Sequence, residues 1–83
     1  MQFRFARSAR RHLIGRAHAL ATLASAAVPT VREGEHDGVT RVYFDWVGVD
    51  DRGVELEITG RLSREDPDLV IILHVMPTAL KEG

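Results

Sequence analysis

Hydrophobic and polar residues alternate along the second half of this chain. From Thr40 to Gly48, Val42, Phe44 and Trp46 fall on one side and Arg41, Tyr43 and Asp45 on the other. From Val54 to Leu62, Val54, Leu56 and Ile58 oppose Glu55, Glu57 and Thr59. A period of two sends successive side chains to opposite faces, so each stretch predicts a half-buried β-strand. Leu69 to Met76 is apolar almost throughout, the pattern of a strand covered on both faces. Asp50-Asp51-Arg52-Gly53 and Ser63 to Asp68 supply the turns between strands, and Pro77 ends the last run.

The first half reads differently. Gln2 to Phe5 is a short strand candidate with Phe3 and Phe5 on one face and Arg4 on the other. Ser8, or the residue before it, caps a predicted helix through Ala9, Arg10, Arg11, His12 and Leu13, which Gly15 breaks. Arg16 to Ala27 is rich in Ala and Leu and predicts a second helix, ended by Pro29. Its apolar stripe is Leu20, Leu23, Ala24 and Ala27. Residues 32–39 read as a polar loop.

These elements predict an α+β fold, β-α-α-β-β-β, in one domain over residues 1–83. Residues 1–30 supply a basic strand plus two helices, and residues 40–77 a three-stranded antiparallel meander. The helices are expected on the Phe44/Trp46/Leu56/Ile58 face. For those four to build one core, paired positions in the hairpin must sum to an even number. The connection is then odd-numbered or carries a bulge, for which Gly53 is the natural residue.

Length and composition agree with a small folded domain: 83 residues, 45% hydrophobic and 28% charged. They exclude a disordered chain, a collagen-like chain and a multi-domain enzyme. No cysteine is present, which excludes a disulfide scaffold and thiolate metal sites. No apolar run approaches the roughly 20 residues of a membrane span. Arg10-Arg11 followed by apolar residues and Ala24-Ser25-Ala26 has the outline of an export signal, but Arg16 and His18 interrupt it. A cytoplasmic protein is therefore expected.

Charge is unevenly spread. Residues 1–32 hold six arginines and no acid, whereas residues 33–83 hold five basic and twelve acidic side chains. The basic part either forms a surface for phosphate or an acidic partner, or neutralises the acidic part within the fold. No glycine loop for phosphate and no serine elbow is present, and His12, His18, His36 and His74 lack metal-ligand spacing. No metal or cofactor is expected. The remaining arginines, histidines and carboxylates suit metal-free RNA cleavage. There a 2′-hydroxyl attacks the adjacent phosphate, a base and an acid move protons, and cations hold the developing charge.

The segment Ser8-Ala9-Arg10-Arg11-His12-Leu13-Ile14-Gly15-Arg16-Ala17-His18 resembles the N-terminal helical region of the RelE/ParE superfamily of small toxins, BrnT-like toxins in particular. The family usually ends its last strand with basic residues and a further helix. Here His74-Val75-Met76-Pro77 and six more residues stand at that place, and His74 is the candidate there. The resemblance implies the toxin of a type II toxin–antitoxin system, an endoribonuclease acting on mRNA with or without the ribosome. It also implies a cognate antitoxin that covers the basic surface in a hetero-oligomer.

On this view Arg10, Arg11, His12 and Arg16 face phosphate, and His74 is the acid–base partner, with the assignment of acid and base open. Arg41 and Tyr43 would bind phosphate and stack a base. Each has a plainer role too. The arginines would be a solvated helix face, and His12 a cap on helix-end carbonyls. His74, sharing a face with Val70 and Ile72, would be a buried histidine. Arg41 and Tyr43 would form cross-strand pairs. Trp46 is expected in the core. The rival functions are a non-enzymatic interaction module using a sheet edge or the apolar strand, and a nucleic-acid-binding domain.

Overall fold

The computed structural model describes residues 1–26 and 28–82, residues 81 and 82 by backbone alone. The strands are β1 (Gln2–Phe5), β2 (Thr30–His36), β3 (Val39–Val49), β4 (Glu55–Leu62) and β5 (Leu69–Pro77). One α-helix, α1 (Arg16–Ser25), joins them, with short 3-10 segments at Arg7–Arg10 and Thr78–Glu82. The strands form one mixed sheet in the order β1-β5-β4-β3-β2. β1 runs parallel to β5, and the other pairs are antiparallel. No helix among the described residues is long and apolar enough to cross a membrane.

The expected pair of N-terminal helices over a three-stranded meander does not form: among the described residues there is one α-helix and a five-stranded mixed sheet. Two causes account for the difference. The Ser8 hydroxyl donates to the Leu73 carbonyl at 2.7 Å instead of capping a helix. Residues 7–10 then make a single 3-10 turn, and the chain swings away at Leu13 with φ 57°. A five-residue helix is in any case far below the roughly 12 residues at which an isolated helix begins to hold.

The second cause is the segment expected as a polar loop. Asp37 and Gly38 have φ values of 52° and 74°, the positive values a type I′ turn requires. That turn folds Thr30–His36 back onto β3 as an edge strand. The strand is exposed on nearly every residue, so no alternation marks it in the sequence.

The hairpin register meets the even-sum condition. Trp46 faces Ile58, and Gly48 faces Leu56, across a five-residue connection over 50–54. Gly53 lies in that turn with φ 82°. The bulge lies elsewhere, in β5, where Leu73 and His74 together oppose Thr59.

The core gathers Trp46, Leu56, Ile58, Val70, Ile72 and Val75 beneath Ala9 and Ala19. Phe3 meets the Trp46 ring edge-on at 5.9 Å between centroids. The helix buries Ala19 and Thr22. The expected stripe is therefore rotated: Leu20 is 40% exposed, Ala24 is exposed, and Ala27 lies outside the described residues. Small residues let helix and sheet approach closely. A Cβ on Gly48 would come within 3.0 Å of Ala26 Cβ and 3.3 Å of Thr22 Cγ2 at the helix end, whereas one on Gly60 would meet Val70 Cγ1 within the sheet at 2.6 Å.

Candidate functional site

The bulge decides where His74 goes. In an unbroken strand it would share a face with Val70 and Ile72, as expected from the sequence. The extra residue shifts the period by one. Ile72 stays on the core face opposite Gly60, whereas His74 pairs with Thr59 on the face away from α1, here the outer face.

His12 reaches His74 from the loop after the 3-10 turn. Ala6 N–H continues the β1–β5 pairing by donating to the Ile72 carbonyl at 2.8 Å, and Ser8 is tied to Leu73 one residue further on. Ala9 is buried below. These anchors bring the half-buried His12 and His74 rings edge to face, 5.3 Å between centroids. Leu13, next to His12, is 91% exposed at its positive φ. A non-glycine residue in that region is strained by about 1–2 kcal/mol.

Burial lowers the His74 pKa below its ordinary value. The His12 ring and the Arg11 guanidinium act in the same direction, and Glu57 opposes them. His74 therefore stays neutral, a proton acceptor, at a pH where an ordinary histidine is charged. Arg11, His12 and His74 thus lie near one another.

The lowered value has a stability consequence with a definite sign. Folded His74 binds a proton less readily than unfolded His74, so the unfolded state carries more protons below about pH 6.5. Stability is unaffected above that pH and falls as pH drops through it toward the folded value. His74→Asn is expected to flatten this fall. Urea midpoints of both proteins at about pH 7.5 and 5.5 check it: the wild type should lose more than the variant.

The other expected site residues go elsewhere. Arg10 and Arg16 line a separate hollow of about 580 Å³ with Phe5, Ala9, Leu13 and Ile14. The Arg16 guanidinium sits 5.4 Å from the Phe5 ring centroid. Tyr43 already carries the Arg32 guanidinium over its ring, 4.7 Å from the centroid, and lies against Gly34. Stacking a base there would require displacing Arg32. Arg32 is itself held by Asp45 at 2.7 Å, and Thr59 donates to the same carboxylate at 2.8 Å. Tyr43 is thus a cross-strand packing residue.

His18 is occupied with the β3–β4 turn. Its Nδ1 lies 2.6 Å from Asp51 Oδ1, and together with Asp50 these groups bring three ligand-type atoms within 4.8 Å of one another. Asp50, however, already accepts from the backbone N–H groups of Arg52 and Val54 and from the Arg52 guanidinium. Burial pushes the Asp50 carboxyl up, but these bonds outweigh it and hold its pKa below the ordinary value. The group is a clasp between helix and hairpin.

Sheet pairing gathers residues that the sequence keeps far apart. Arg4 and Arg61 flank Ile71 on the outer face, one from parallel β1 and one from antiparallel β4. Arg41 from β3 and Arg64 from the β4–β5 turn join them around an open hollow of about 530 Å³, with Ser63 and Glu65 at its wall. The Nε atoms of Arg41 and Arg61 are shielded from water without a hydrogen-bond partner. Leaving a buried donor unmade costs about 1–3 kcal/mol. Among the described residues, none of the four guanidinium groups forms an ion pair. The outer face is divided in charge: Glu55, Glu57 and Asp45 lie toward one end and these arginines toward the other. Of the four, only Arg41 is expected from the sequence; Arg4 reaches the cluster through the parallel β1–β5 contact, which has no local sequence signal, and Arg61 and Arg64 come from β4 and the turn after it.

The chain matches no protein-family model, no curated protein and no solved structure, so the likeness to RelE/ParE toxins rests on the motif over residues 8–18.

Proposed function

We propose that this protein is a metal-independent endoribonuclease, the toxin of a type II toxin–antitoxin pair, with His12 and His74 as its acid–base pair. The supporting observation is the contact of the two half-buried imidazoles beside Arg11. They come from segments 62 residues apart in the chain.

His74, with its lowered pKa, suits the base that takes the proton from a 2′-hydroxyl as its oxygen attacks the adjacent phosphorus. His12 suits the acid that gives a proton to the departing 5′-oxygen as the P–O5′ bond breaks. Arg11 supplies a fixed positive charge for the phosphorane. The products would be a 2′,3′-cyclic phosphate and a 5′-hydroxyl end. The toxin context comes from the resemblance over residues 8–18, and with it a cognate antitoxin covering this surface. The four-arginine hollow favours a second reading, a nucleic-acid-binding module whose affinity falls steeply with salt and which cleaves nothing.

Induced expression in bacteria separates the two. Wild-type protein is expected to arrest growth with loss of mRNA, and folded His12→Ala protein to do neither. Normal growth with intact mRNA from soluble wild-type protein would refute the toxin assignment.

A further inference from the structure

We infer that the hollow formed by Arg4, Arg41, Arg61 and Arg64 is a binding site for a terminal phosphate or pyrophosphate group. The inference stands apart from the cleavage assignment, since none of these residues belongs to the histidine pair.

The charge count favours a compact polyanion. Four guanidinium groups and Glu65 leave a net charge of +3 around a hollow of about 530 Å³. A backbone phosphodiester brings one negative charge and would leave most of that uncompensated. A terminal phosphate brings about two, and a pyrophosphate group more in little extra volume. Peptide carboxylates bring one charge each and cannot be packed so densely.

The donor geometry agrees. Guanidinium groups present fixed forks that match phosphate oxygens in pairs. Here the forks come from three strands and one turn, so they converge from several sides. The Nε groups of Arg41 and Arg61 are shielded from water and have no hydrogen-bond partner. Four like charges gathered with a single acid at the wall repel one another. An arrangement that leaves four arginines without an ion pair and two donors unmet among the described residues is the expected form of an anion site built in advance of its ligand.

The phosphate group could belong to a free nucleotide or to an RNA end, and the test distinguishes them. Inorganic pyrophosphate is titrated calorimetrically into the wild-type protein at fixed ionic strength, beside sulfate. A nucleoside triphosphate and RNA oligonucleotides with a 5′-triphosphate or a 5′-hydroxyl follow. Pyrophosphate is expected to bind and sulfate to bind far more weakly. Arg61→Gln should weaken pyrophosphate binding roughly tenfold to a hundredfold, the value of one charge-assisted pair. Arg64→Gln, on the exposed turn, serves as a second variant if Arg61→Gln does not fold.

If only the triphosphate-ended RNA matches pyrophosphate, the source is an RNA end. If the nucleoside triphosphate binds as well, it is a free nucleotide. Equal binding of the 5′-hydroxyl oligonucleotide would overturn the assignment in favour of backbone phosphates. Absent pyrophosphate binding, binding equalled by sulfate, or binding unchanged in the folded variants would overturn the site itself.

Discussion

Purified His74→Ala protein is expected to cleave RNA about 10²–10⁴-fold more slowly than wild type, the usual contribution of a positioned acid or base. His12→Ala should lose a similar factor, and the double variant little more, because the two act in one proton-transfer sequence. The pH profile carries a separate mark. Burial, His12 and Arg11 hold the His74 pKa down, so the acid limb of wild-type cleavage should lie below the range of an ordinary histidine. Arg11→Gln removes one of those positive charges and should move that limb upward while lowering the rate. A merely structural role for His74 would leave the limb where it is. Circular dichroism on each variant separates lost chemistry from lost fold.

Ile58→Ala is expected to be the most damaging single change to the fold. Ile58 is fully buried at the centre of β4, between Trp46 on β3 and Val75 on β5. Truncating a buried isoleucine costs about 2–5 kcal/mol, through lost transfer energy and the cavity left behind. A domain of this size has on the order of 4–12 kcal/mol in all. Thermal melts should therefore show the midpoint falling by roughly 10–30 °C. Val47→Ala, on the half-exposed outer face, is the control and should change stability by about 0.5 kcal/mol or less. Equal effects at the two positions would place the core elsewhere.

What the sequence disclosed depended on how local the cause was. The alternation in β3 and β4 gave both strands, their shared face and the register parity, because half-burial imposes a period of two. β2 showed no alternation because neither of its faces is buried, although Asp37-Gly38 is a recognised hairpin signal that the polar run around it obscured. The first expected helix failed for a distant reason, since its capping serine is bound to Leu73 on β5.

The candidate site divides along the same line. The resemblance over residues 8–18 and the end of the last strand point to His12, Arg11 and His74, and the fold brings the two histidines into contact. His74 nonetheless lies on the opposite face from the one strict alternation predicts, because the bulge at Leu73 shifts the period by one. Arg10 and Arg16 share a hollow with apolar residues, and Tyr43 is covered by Arg32. The arginine hollow needed the parallel pairing of β1 with β5, which joins residues about 67 apart in the chain.

The most direct measurement is the chemistry of RNA ends after incubation with the purified protein in excess chelator. Cleavage yielding 2′,3′-cyclic phosphate and 5′-hydroxyl ends, absent when the RNA is replaced by its 2′-deoxy counterpart, is the expected result. Intact RNA, or 5′-phosphate ends that appear only when a divalent cation is restored, would contradict a histidine-paired, metal-independent nuclease.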